Sequence, residues 1–264
     1  MNIYSILSFL SAFLVFGVGV FMGMDNVKIL LDIHAILIVF GGTIAVTSIS
    51  FQMDRIGIML KVFYIRVIKG YKVNYAKIIA DIMTLSEAYK KSPDSIDPIL
   101  KKIGDPFLTE AINMLKQDYL TNEELYKLLN LRAKTIHSRY VEDSKKFKAI
   151  GKFPPAMGLM GAVTGMIALL QNLGKPGAED SLGPSMAVAL VATLYGIAFA
   201  NLFVLPIADN LADSASENWT KNKIIIEGVK LIAERKNRTT FSDQLNSYLL
   251  PMERVDWSKK DRAA

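Results

Sequence analysis

Four stretches of the chain carry no charged side chain: Met1 to Met24, Ile33 to Met53, Phe153 to Gly174 and Ser181 to Ala208. Each is long enough for the roughly 20 apolar residues that a bilayer core demands, so the pattern predicts four transmembrane helices. The first run lacks the basic n-region and small-residue cleavage site of a signal peptide and is read as a retained span, which places both termini on one side. Between the second and third runs the period changes. In "NYAKIIADIMTLSEAYKK", Ile78, Ile79, Ile82, Met83 and Leu85 fall on one stripe at helical spacing, with Lys77, Asp81 and Glu87 outside it. Pro93 and Pro98 then punctuate a linker or broken helix. Asp105 followed by Pro106 is an N-cap with proline at the first helical position, and Thr121 and Glu124 have the spacing of a capping box. No proline follows Thr121 until Pro154, which predicts one long helix running into the third span. Ser214 to Arg235 is amphipathic, and the chain from Asp243 onward reads as a polar, frayed tail. The predicted fold is all-α: a polytopic membrane protein with four spans and a helical cytoplasmic domain. Its parts are spans one and two (1–53), the helical domain (54–148), spans three and four (149–208), and a C-terminal helix and tail (209–264).

Composition agrees, with 51% hydrophobic against 21% charged residues and a mean hydropathy of +0.28. Of the 31 Lys and Arg residues, 19 lie in Asp54 to Lys152 and 10 in Asp209 to Ala264, leaving only Lys28 and Lys175. By the positive-inside rule the middle segment and both termini face the cytoplasm. The net charge of +6 is interleaved with acids instead of forming a stripe with aromatics. It therefore points to topology and anionic-lipid contact, not to nucleic acid. With no cysteine, disulfides and thiolate metal sites are excluded.

Catalytic motifs are missing. His34 and His137 are the only histidines, and there is no phosphate loop, H-E-x-x-H or nucleophile elbow, so neither an enzyme nor a cofactor or metal site is expected. The spans also lack a carboxylate at mid-depth, because Asp32, Asp54, Asp180 and Asp209 sit at span edges. If ions pass, another chain supplies the carrier group. Spans three and four are instead rich in small residues: Gly158, Gly161 and Gly165 in one, Ala192, Gly196 and Ala200 in the other. Pro154, Pro155 and Pro206 mark their cytoplasmic ends, either as static kinks or as hinges. Thr164 and Thr193 either bond back to their own helices or face a partner's carboxylate.

"PPAMGLMGAVTGMIALLQNL" followed by "GPSMAVALVATLYGIAFANLFVLPIAD" resembles the MotA/PomA stator proteins of the bacterial flagellar motor, as do the "DPFL" segment and the four-span topology. The resemblance implies a multi-pass protein of the bacterial inner membrane. It implies a five-subunit ring around two copies of a MotB-type partner, whose single span brings the missing aspartate and whose periplasmic domain grips peptidoglycan. Ion flow would then turn the ring against the rotor's switch protein. Pro155 and Pro206 match the family's two coupling prolines. Sodium-type relatives carry threonine at the positions of Ala162 and Thr193, whereas proton-type relatives have alanine at the first. The chain's Ala162 therefore implies that the transported ion is H+, with Na+ as the alternative.

The chain departs from the family at the rotor-facing surface. Asp97 takes the place of the acidic residue and Lys90 the second position of the basic pair, but Tyr89 stands at the first. Lys90 and Asp97 are thus either rotor contacts or solvated surface charges. Two other functions are open: an ion-driven energiser of the TolQ/ExbB kind, which usually has three spans, and a passive membrane scaffold.

Overall fold

A computed structural model of the chain describes residues 27–67, 73–173 and 178–251, Arg254 and scattered positions between 7 and 23. The first predicted span and the end of the polar tail lie mostly outside the described residues. No strand occurs among the described residues. The helices are α1 (Ile33–Ser50), α2 (Met53–Val67), α3 (Tyr75–Lys91), α4 (Asp97–Leu100), α5 (Pro106–Gln117), α6 (Asn122–Ile150), α7 (Phe153–Asn172), α8 (Ala178–Phe199), α9 (Leu205–Ala233) and α10 (Arg238–Asn246). Among the described residues, three helical stretches are long and apolar enough to cross a membrane: Ile33–Ser50, Asn122–Asn172 and Leu182–Ala233.

The chain divides into two compact units. One takes its described residues from Met1–Tyr71 and Tyr140–Asp213, the other from Lys72–Arg139 and Ser214–Ala264, so α6 and α9 each contribute to both.

In the second unit the apolar stripe of α3 is buried as its spacing predicts, with Ile79, Ile82 and Leu85 fully enclosed. They meet Leu108 and Ile112 of α5, Leu129 of α6 and Ile224, Ile225 and Leu231 of α9. Each such side chain contributes about 1.5–3 kcal/mol on burial. Gly228 lets α9 come close to α3, since a methyl group there would lie 2.6 Å from Ile82 Cγ2. The predicted caps form. The Asp105 carboxylate accepts from Leu108 N–H at 3.0 Å and, through its other oxygen, from Lys221 Nζ at 2.7 Å, an ion pair about nine-tenths buried. Thr121 N–H donates to Glu124 Oε2 at 2.9 Å, closing the capping box at the start of α6. His137 is a packing residue, stacked on Trp219 at 4.9 Å with Nδ1 donating to the Ala215 carbonyl at 3.2 Å.

One expectation needs correction in this unit. The region from Asp243 does not begin as a frayed tail, because Phe241, Leu245 and Leu249 recur every fourth residue and enter the same core. The α9–α10 connection is also strained. Arg235 has φ 50° where glycine is usual, and the left-handed backbone costs a non-glycine residue about 1–2 kcal/mol.

In the first unit the predicted continuous helix is broken. Lys152 N–H reaches only to the Ala149 carbonyl, at 3.1 Å, tightening the last turn of α6, and α7 restarts at Phe153. The reason lies in Pro154 and Pro155, which occupy the first turn of a new helix, where amide hydrogens have no intrahelical acceptor and proline loses nothing. Phe147 and Ile150 of α6 pack on Val204, Ile207, Ala208 and Leu211, and Ser144 Oγ donates to the Ala208 carbonyl at 2.9 Å.

Candidate functional site

The small residues of the third and fourth spans form one close seam between α7 and α8. A methyl group at Gly158 would lie 2.8 Å from the Ala192 carbonyl oxygen, one at Gly161 would lie 2.7 Å from Ala192 Cβ, and one at Gly165 would lie 3.0 Å from Ala189 Cβ. The predicted helix-packing role of the glycines therefore holds. The opposite side of α7 presents Leu159, Met160, Val163, Ile167 and Leu170, all at least half exposed in the single chain, an apolar face suited to lipid or to other helices.

The seam leads directly to the prolines. A methyl group at Gly196 would lie 3.1 Å from both Pro154 C and Pro155 Cα, so the first turn of α7 rests on a bare patch of α8 backbone. On the α9 side, five residues of π-helix, Ala200–Val204, precede Leu205, whose N–H donates to the Ala200 carbonyl five residues back. Pro206 follows as the second residue of α9. The π-turn thus ends at the residue before Pro206, which has no N–H to continue the ladder. Gly151 adds a further contact near the break, because a methyl group there would lie 2.7 Å from Leu205 Cδ2.

Of the two proposed ion-path positions, Thr193 lies on this seam. Gly158 approaches the Thr193 backbone, with a methyl group there 3.2 Å from Thr193 Cα, and Ala162 is one turn further along α7. Ala162 and Thr193 are each half-buried. The Thr193 hydroxyl donates to the Ala189 carbonyl at 3.3 Å and the Thr164 hydroxyl to the Met160 carbonyl at 2.8 Å, so both threonines bond back to their own helices. A hydroxyl that donates in this way keeps a lone pair free to accept. His34 beside Asp32 is largely exposed, while Asp32 caps α1 through Ala35 N–H at 2.7 Å. Among the described residues, no three His, Asp or Glu side chains converge as a metal site would require.

In the second unit, Lys90 and Asp97 are exposed, and each is engaged within the chain. Lys90 Nζ donates to the Lys236 carbonyl at 2.7 Å. Asp97 receives Lys116 Nζ on both carboxylate oxygens, at 2.8 and 3.0 Å, and Lys116 also lies 3.0 Å from Asp94 Oδ1. Hydrogen bonds to Asp97 and then Asp94 raise the Lys116 pKa. Lys116 is the residue that the sequence concealed: it follows Asp97 by 19 positions, on another helix, and no local spacing connects them.

Glycine-lined helix contacts and proline-marked helix starts within long apolar stretches define a polytopic helical membrane protein. In agreement, residues 99–223 match the MotA/TolQ/ExbB proton channel family. Motility protein A of Borreliella burgdorferi is 31% identical over 92% of this chain and 88% of its own. Chemotaxis protein PomA of Vibrio alginolyticus is 28% identical over 94% of this chain and 96% of its own. The chain belongs to the MotA/PomA family of flagellar motor stator proteins. Its fold is that of the MotAB structure from C. jejuni, with a TM-score of 0.85 at 24% identity, covering 97% of this chain and all of the other.

Proposed function

We propose that this chain is the ring-forming subunit of an ion-driven flagellar stator in the bacterial inner membrane, with both termini cytoplasmic. A MotB-type partner contributes the aspartate that the α7–α8 pair lacks. The observation that carries this reading is the contact of Gly196 with Pro154 and Pro155. It ties the helix bearing Thr193 to the turn where α7 leaves α6, so a change beside Thr193 reaches that junction without an intervening flexible segment. α6 and α9 then carry the displacement to the charged surface that meets the rotor.

The ion is a proton on this reading. A sodium ion shedding its water needs several oxygen ligands, whereas protonating a carboxylate needs only a short water path. With Ala162 in place of a threonine, the path offers one hydroxyl fewer, and the Thr164 hydroxyl lies about 200° around the helix from position 162.

The direct test is deletion of the gene in its own organism, with flagella checked by electron microscopy. Flagellated but paralysed cells, restored by the gene, support the stator reading. Normal swimming with no second stator set present would refute it and favour the TolQ/ExbB-like energiser. In restored cells, rotation should persist without sodium, and speed proportional to sodium would overturn the proton assignment.

A further inference from the structure

Position 89 lacks the positive charge that the family resemblance leads one to expect, and Tyr89 instead packs against the core of its unit. The charge is replaced in space from another part of the chain. The connection between α9 and α10 carries Arg235 and Lys236, and α10 opens on Arg238; all three are exposed, and the Lys90 ammonium is bonded to the Lys236 carbonyl. Arg238 Nη1 lies 3.6 Å from Glu87 Oε1 on α3, and Lys236 Nζ lies 3.5 Å from Glu234 Oε2. Lys90, Arg235, Lys236 and Arg238 thus gather at this corner, with Glu234 facing Lys236 and Glu87 facing Arg238.

The backbone makes the point independently. Lys236 N–H donates to the Leu231 carbonyl at 3.1 Å and Arg235 N–H to the Ile232 carbonyl at 3.0 Å, the paired closure in which glycine normally takes the left-handed position. Asp118, the other non-glycine residue with positive φ among the described residues, is of a type that tolerates it. Arginine is not, and strain retained at a solvent-exposed charge points to use of that charge.

We propose that the Arg235 to Arg238 turn is the cationic half of the rotor-docking face and takes an acidic protein surface, standing in for the base absent at position 89. The inference rests on the stator reading. Alternation of sign from this turn to Asp94 and Asp97 fits discrete charges on a protein better than a uniformly anionic membrane.

The test uses the full-length chain in a strain deleted for the gene. Arg235→Gly removes the charge at a site glycine favours, so the detergent-extracted protein should melt at or above the wild-type temperature. Motor-bound, fluorescently tagged copies should nevertheless fall by about two- to fivefold, the loss of one exposed charge contact. Arg235→Lys should retain most of them, and Arg238→Gln should lower them without help from any change in backbone. A photo-crosslinker at position 235 should capture the rotor switch protein. Wild-type occupancy and swimming in Arg235→Gly, or crosslinks to lipid alone, would overturn the proposal while leaving the stator reading intact. A deletion strain that swims normally without another stator set removes both.

Discussion

Adding a single methyl group at Gly196 tests the coupling seam most sharply, because what it would meet cannot move aside. In Gly196→Ala the new Cβ presses on the Pro154 carbonyl and lies 3.1 Å from Pro155 Cα, both backbone atoms of the first turn of α7. Relief requires the two helices to separate, and overpacking of this kind costs about 1–3 kcal/mol. For a chain of this size that is roughly 2–12 °C of melting temperature. Two controls separate crowding from a generic glycine effect. At Gly42 the obstacle is Met157 Sδ at 2.6 Å, the far end of a flexible side chain, and at Gly57 nothing lies within 4 Å. Gly42→Ala should therefore shift melting less than Gly196→Ala, and Gly57→Ala should be neutral or raise it through helix propensity, by about 1 kcal/mol. The assay is thermal unfolding of the detergent-extracted protein, with swimming scored in parallel. If Gly196→Ala melts with Gly57→Ala, the seam is not close-packed and its proposed mechanical role falls.

Pro155→Ala and Pro206→Ala should leave membrane insertion and protein level unchanged but cut torque on tethered beads, and normal rotation would refute the hinge role. Lys116→Met releases Asp97 and Asp94 from their internal partner, so motor occupancy should rise at unchanged melting temperature, while equal or lower occupancy would show that Asp97 does not meet the rotor. Tyr126→Phe removes a 2.8 Å hydrogen bond to Glu227 and should cost roughly 1 kcal/mol at neutral pH. Burial, then Glu227, raises the Tyr126 pKa. The stability it contributes is thus present below the unfolded tyrosine value of about 10 and is lost as pH rises through the higher folded value. In an alkaline titration of melting temperature, the gap between wild type and Tyr126→Phe should therefore close above pH 10, and a gap that widens would refute the assignment.

What was legible in the sequence was whatever neighbouring residues decide. Asp105 before Pro106 and the Thr121–Glu124 pair mark helix starts because cap and capped amide lie three residues apart. The stripe of α3 was readable because burial there follows a single helical face. The restart at Phe153 was misread because the two prolines look like lost hydrogen bonds in a continuing helix, whereas in a new first turn those bonds never existed. Leu245 and Leu249 were missed because two apolar residues in a polar segment carry too little periodic signal. The Asp97–Lys116 and Lys90–Lys236 contacts join segments far apart in the chain, and only the folded core of the second unit brings them together.

The two prolines answer to different physics, and this bears on how a hinge can work here. Pro206 sits where the helix has already widened into a π-turn, so replacing it restores an amide hydrogen whose acceptor depends on that turn tightening. Pro155 costs α7 no bond, and its constraint is steric: a fixed φ that holds the first turn flat against Gly196. Pro206→Ala therefore acts by allowing a straighter helix, and Pro155→Ala by loosening a contact. The second should be imitated by Gly196→Ala, and the first should not. If the proposed stator bends at both points, the π-turn and the glycine contact are needed as much as the prolines, and Gly196→Ala should then lower torque together with Pro155→Ala.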